Sequence, residues 1–262
     1  MNHYLLPLLF IAVVYVTLII LNERIGLFRD AFPSPGYKVA AYIWLGIFLA
    51  ALTLLIVASA LAPPSAKDLA RVPFYSLFSL HAILIVFLTG WWLLAGRPPL
   101  MRFFNIQREA PGEAVMTGLA VGVGGWMVTI VLAIAIAYIL QATGLLPKKP
   151  EPSAMIAWMA SLPLWKKILI VCSAMTVEEA FFRGWLQKRV GLIASTALFA
   201  LAHAGLGQPF LLVGVAIISL IIGFTFYRTK NLIPGIIAHG VFDAVQLFVV
   251  IPIAFKAVGV GG

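Results

Sequence analysis

Eight long apolar runs follow one another along the chain, and the connectors between them are short. A segment that crosses the hydrocarbon of a bilayer needs about 20 largely apolar residues. The runs near residues 4–22, 38–62, 74–95, 114–140, 166–187, 190–206, 209–227 and 231–255 meet that need. The pattern predicts an all-α, polytopic membrane protein with about eight transmembrane helices. Eight spans of that length use roughly 160 residues. Residues 1–262 therefore read as a single integral membrane domain with little room for a soluble one. Composition agrees: the chain is 63% hydrophobic and 10% charged, whereas a soluble domain is near half apolar and a quarter charged.

The connectors carry secondary signals. The N-terminal run has no basic region before it and no small-residue cleavage site, so it reads as a retained first span. The net charge of +9 would suggest nucleic acid in a soluble protein. Here the bases sit in loops between apolar runs, where anionic headgroups and topology account for them, and no nucleic-acid partner is expected. The single cysteine, Cys172, excludes an internal disulfide and a cysteine zinc cluster. The stretch around 153–163, with Trp158 and then Trp165, suits a segment lying flat at the headgroup level. Gly118 and Gly122 have the small-xxx-small spacing that lets membrane helices approach closely.

Orientation rests on the loop bases. One side holds Arg24, Arg29, Lys38, Arg97, Arg102, Arg108, Lys188, Arg189, Arg228 and Lys230. The other holds Lys67, Arg71, Lys148, Lys149, Lys166, Lys167 and Lys256. The positive-inside rule then places both termini outside.

A few ionisable residues fall inside the spans instead. They are Glu178, Glu179 and Arg183 on the fifth run, His203 on the sixth, and His239 with Asp243 on the eighth. His81 on the third run has no partner visible in the sequence and reads as a packing histidine. Three of these runs end at one face, marked by Lys188/Arg189 and Arg228/Lys230. At about 1.5 Å per residue, Glu178, His203, His239 and Asp243 lie roughly 13 to 21 Å from that face. The midplane of the hydrocarbon lies near 15 Å. Separate helices thus carry their ionisable groups at one level. Intramembrane charge is costly, so such groups are expected to face a protein interior or a wet cavity and to find partners.

Helical spacing assigns the partners. Glu179 and Arg183 stand four apart with the acid first, the favourable order for an ion pair. Glu178 is turned about 100° from Glu179 and is free for another task. His239 and Asp243 are also four apart, so Asp243 can hold the imidazole in one tautomer. One carboxylate and two imidazoles around intramembrane water suit hydrolysis: a glutamate passes protons, one imidazole orients water, another donates to an oxyanion. No Ser or Cys stands out as a nucleophile, since Ser173 and Cys172 are off the Glu178 face. The same residues resemble a catalytic zinc set of two His and a carboxylate, without the dense HExxH signature. Spacing leaves a metal-bound water and a Glu/His-activated water both open. A transporter or proton-coupled carrier would also hold midplane charges, but neither repeated halves nor paired broken helices are evident.

The stretches EEAFFR (178–183), FALAH (199–203) and HGVFD (239–243) resemble the ordered motifs EExxxR, FxxxH and HxxxN/D of the CPBP family of intramembrane proteases. That family includes type II CAAX prenyl endopeptidases and bacteriocin-processing or immunity relatives. The resemblance spans residues 164–256 as a catalytic core. It implies an eight-helix membrane fold in a cell membrane, prokaryotic in this reading, and a membrane-tethered peptide or protein substrate, prenylated or of the leader type. By position it implies Glu178 as the catalytic glutamate, His203 as its helper in activating water, and His239 as the oxyanion-stabilising residue, with Glu179 and Arg183 in support. Asp243 falls where prenyl endopeptidases carry Asn, so it must be protonated, orient His239 or ligate a metal. No cofactor is expected, and zinc is left open, its ligands then drawn from Glu178, His203, His239 and Asp243. A non-catalytic immunity or scaffold role is the remaining alternative within the family.

Overall fold

The computed structural model describes residues 5–26, 32–61, 66–145, 154–204 and 209–257. Helices account for the regular structure among them, and no strand occurs there. In chain order they are α1 (Leu5–Ile25), α2 (Pro35–Leu61), α3 (Ala66–Arg71), α4 (Ser79–Leu94), α5 (Leu100–Phe104), α6 (Pro111–Ala142), α7 (Ala154–Ser161), α8 (Leu164–Ser173), α9 (Lys188–Ala202), α10 (Pro209–Thr229), α11 (Leu232–Val245) and α12 (Ile251–Ala257). Two π-helical stretches, Ala174–Glu178 and Ala180–Gln187, carry α8 into α9, and a third, Gln246–Val250, joins α11 to α12. The all-α architecture expected from the apolar runs is the one found.

Five segments among the described residues are long and apolar enough to cross a membrane: Pro35–Leu55, Phe74–Leu94, Pro111–Ala142, Leu211–Thr229 and Leu232–Ala254. They fall on five of the eight expected spans. Two others depart from the expectation for physical reasons. The segment from α8 to Gln187 carries Lys166, Lys167, Glu178, Glu179 and Arg183, too much charge for a simple lipid-facing span. The expected span 190–206 is cut short: α9 ends at Ala202 and is bent at Gly191, whose φ of 81° and ψ of 175° are not helical. Its 15 residues extend at most about 22 Å, less than the hydrocarbon thickness of about 30 Å. Of the loop bases used for orientation, Arg29, Lys148 and Lys149 lie outside the described residues.

The surface inverts the soluble pattern. Val131, Ile134 and Tyr138 on α6, Ile193 on α9 and Ile253 on α12 all point outward, as a lipid-facing surface requires. The interior is held by rings. Phe87 stacks on Phe48 at 4.0 Å and meets Trp185 edge-on at 4.8 Å, while Trp185 stacks on Phe181 at 5.5 Å and meets Trp91 at 5.1 Å. Such pairs add about 0.5–1.5 kcal/mol each beyond their buried area. They fasten α2 and α4 to one face of the second π stretch, leaving its charged face to turn inward.

α11 packs most extensively on α6, and the small-residue spacing explains how. A Cβ on Gly118 would stand 2.6 Å from Ile237 Cβ, and one on Gly122 would stand 2.7 Å from Val241 Cβ. Only hydrogen at those positions lets the helices touch. Asn231 opens α11, its side chain accepting from the Ile233 amide at 3.2 Å, and also accepts from the Gln107 amide at 3.2 Å. Asn105 O accepts from the Leu232 amide at 2.9 Å. These bonds fix the start of α11, and therefore the depth of His239. The stretch expected to lie at the interface folds as the short helix α7, packed against α3 and α12.

Candidate active site

Glu178 ends the first π stretch and Glu179 lies between the two. Widened π turns inside α-helices occur often at functional sites. Here they hold the adjacent carboxylates on different sets of partners, the division expected from helical spacing.

Glu179 sits in the deeper set. It is 0% exposed, and Arg183, 1% exposed, meets Glu179 Oε1 at 2.9 Å. The guanidinium also donates through Nη2 to the carbonyl and hydroxyl oxygens of Ser219, at 3.2 and 3.1 Å. His239 Nδ1 approaches the same Glu179 oxygen at 2.9 Å, and its Nε2 stands 3.3 Å from Asp243 Oδ2. An imidazole between two carboxylates satisfies both only by donating from both nitrogens. Asp243 is thus placed within reach of His239, the contact that an orienting role, one of the three the sequence left open to it, requires. Glu179 binds His239 as well as Arg183, which spacing along a single helix does not reveal. Gly235 makes room for this carboxylate: a Cβ there would stand 3.1 Å from Glu179 Oε2.

Phe199, the first residue of the FALAH stretch, supplies a platform. Arg183 lies over its ring at 4.7 Å, and the imidazoles of His203 and His239 pack against it at 4.6 and 5.8 Å. The cation over the ring face gains quadrupole attraction in a desolvated setting. The spacing from Phe199 to His203 is one helical turn, which puts both side chains on one face of α9.

Glu178 faces α9 and α4. Its Oε2, buried and without a hydrogen-bond partner among the described residues, lies 3.8 Å from His203 Nε2. His203 Nδ1 stands 2.8 Å from the Phe199 carbonyl oxygen and must donate to it. In the neutral ring that leaves the Nε2 lone pair turned toward Glu178. The other oxygen, Oε1, is held by His81 Nε2 at 3.0 Å, and His81 Nδ1 in turn meets Ser173 Oγ at 2.7 Å.

This corrects the sequence reading of His81 as a lone packing histidine and of Ser173 as unremarkable. His81 reaches Glu178 across 97 positions of sequence, so no local spacing announces the contact. Two signals were available. Measured from Arg97, His81 lies about 24 Å deep, and measured from Lys188, Ser173 lies about 22 Å deep. His81 also heads the buried stripe of α4 that continues through Leu84, Leu88 and Trp91. The cluster therefore extends beyond the core of residues 164–256.

The donors suggested for a metal do not gather. Both nitrogens of His239 face carboxylates, Asp243 pairs with His239, and only His203 Nε2 and Glu178 Oε2 approach each other. Among the described residues no group of three or more His, Cys, Asp or Glu is arranged to hold a metal ion. As arranged, the residues do not fit a metal site. An open cleft of about 420 Å³ near Arg102, Arg108 and Lys230 shares no residue with the cluster.

Fold and site together define a class: an integral membrane protein of packed helices with an ionisable cluster on the helices that follow residue 160. Residues 160–245 match the family model described as Rce1-like, type II CAAX prenyl endopeptidase Rce1-like. Over that segment the chain is similar to the Rce1-like family of type II CAAX prenyl endopeptidases, which agrees with the resemblance its motifs carry. Neither a curated protein nor a solved structure gives a significant match. Glu178, Glu179, Arg183, His203, His239 and Asp243 all fall inside the matched segment, and His81 falls outside it.

Proposed function

We propose that the protein is an intramembrane endopeptidase that hydrolyses a peptide bond of a membrane-tethered substrate, prenylated or of the leader type, in a prokaryotic cell membrane. The reading is carried by one observation: Glu178 Oε2 and the lone-pair side of His203 Nε2 face each other at 3.8 Å. Both are acceptors. A water beside them donates one hydrogen to each and keeps a lone pair for attack on a carbonyl carbon. Glu178 takes the proton as the C–O bond forms and returns it to the leaving amine as the C–N bond breaks. His239 stabilises the oxyanion through Nε2–H, whose contact with Asp243 is the longer of its two at 3.3 Å. Asp243 orients His239, while Glu179 and Arg183 hold it in place. No step is routed through a metal.

The test is cleavage of a farnesylated CAAX peptide and of a lipid-anchored leader peptide by protein in liposomes, with products read by mass spectrometry. Glu178→Gln and His203→Ala should each lower kcat by about 10²–10⁴-fold, and a metal chelator should leave the wild type unchanged. Wild-type rates in either variant would remove the assignment. Solute flux in the same liposomes without any peptide product would favour a carrier.

A further inference from the structure

We infer that His81, held by Ser173, is a positioning residue for Glu178 that the N-terminal half of the chain supplies to the site. The inference rests on the reading of Glu178 as the water-activating carboxylate.

The geometry is that of a three-member chain. Ser173 Oγ lies 2.7 Å from His81 Nδ1, and His81 Nε2 lies 3.0 Å from Glu178 Oε1. A carboxylate accepts hydrogen bonds, so Nε2 carries the proton and Nδ1 accepts from the Ser173 hydroxyl. That assigns each hydrogen in the chain without ambiguity for the neutral ring. The bond from His81 is the only hydrogen bond the Glu178 carboxylate makes among the described residues.

The consequence is orientation. A glutamate has three side-chain torsions, and a carboxylate free to turn presents either oxygen in many directions. With Oε1 tied to α4, Oε2 is directed at His203 on α9. His81 is buried at the head of the apolar stripe of α4, so its ring has little freedom of its own. A displacement of about 1 Å in a reacting group can cost 10²-fold in rate. His81 touches neither water nor substrate in this scheme. It acts through Glu178, and its removal should be felt in kcat rather than in KM.

The experiment compares His81→Leu, His81→Gln and Ser173→Ala with the wild type in liposomes. His81→Leu should lower kcat by about 10²-fold with KM unchanged. His81→Gln, whose amide nitrogen can take the place of Nε2–H, should recover much of that loss, and Ser173→Ala should lose less than His81→Leu. A second readout does not need activity. The infrared carboxylate stretch of Glu178, identified as the band lost in Glu178→Gln, should shift in His81→Leu and return toward the wild-type position in His81→Gln. An unmoved band together with wild-type kcat in His81→Leu would overturn the inference. So would covalent labelling of Ser173 by a fluorophosphonate, since Ser173 would then be a nucleophile. If the wild-type protein cleaves no peptide, the endopeptidase reading falls, and the band alone decides whether His81 positions Glu178. If His81→Leu does not fold, the His81→Gln and Ser173→Ala bands decide instead.

Discussion

At the scale of single residues, the site is a problem of burying charge. Glu179 and Arg183 are fully enclosed, and a buried ion is tolerated only when its partner and its hydrogen bonds are present. Removing one partner leaves the other charge uncompensated. Arg183→Ala should therefore destabilise the fold by about 3–5 kcal/mol, measured as a fall in the midpoint of unfolding in detergent. A midpoint equal to that of the wild type would show that the pair is not what holds Glu179. His239 offers a separate check. Loss of an oxyanion donor typically costs about 10²–10³-fold in kcat, the drop expected for His239→Ala. Asp243→Asn keeps a carbonyl oxygen as acceptor for His239 Nε2–H and should retain most of the activity, whereas Asp243→Leu should not. Equal losses in the two Asp243 variants would mean that the negative charge matters, not the orientation.

At the scale of elements, two glycine devices set the geometry. The first is the contact of α6 with α11, where Gly122 stands so close to Val241 that a Cβ would fall at 2.7 Å. Gly122→Leu should push α11 away and move His239 from Glu179. The expected outcome is loss of both stability and cleavage, while the same substitution at Gly124, where an added Cβ meets nothing within 4 Å, should be tolerated. The second is the bend in α9. Gly191 occupies a backbone region open essentially to glycine alone, and a side chain there costs of order 1–3 kcal/mol. Gly191→Ala should lower thermal stability by that order and reorient the helix that carries Phe199 and His203. A variant as stable and as active as the wild type would show that the bend is not needed. The motif phenylalanine also gains its meaning at this scale, because Phe199 is where Arg183, His203 and His239 meet.

At the scale of the whole molecule, the claim to test is orientation in the bilayer. By the positive-inside rule the basic connectors predict that the end of the bundle that bears Arg102, Arg108, Lys188 and Lys230 faces the cytoplasm. In a Cys172→Ser background, a cysteine at exposed position Arg108 should react with an impermeant maleimide only after the membrane is opened. A cysteine at exposed position Thr143 should react in intact cells. The reverse pattern would invert the topology. The exposed apolar surface of α6 and α12 is compatible with either direction, so charge alone carries this prediction.

Much of this protein was legible in one dimension. Helical class follows from apolar length, because a bilayer offers the backbone no other donors or acceptors. Glu179 with Arg183 and His239 with Asp243 could be paired because one helical turn fixes their distance. The common depth of residues 178, 203 and 239 could be counted from the basic ends of their helices. The contacts between helices could not be counted. His81 meets Glu178, and His239 meets Glu179, only because α4 and α11 pack against the π-helical segment at particular rotations, and rotation is set by the fit of many side chains at once. The early end of α9 and its bend are decided the same way, by packing around a backbone that glycine leaves free to turn. Sequence determined which groups are present and how deep they lie; tertiary packing decided which of them touch.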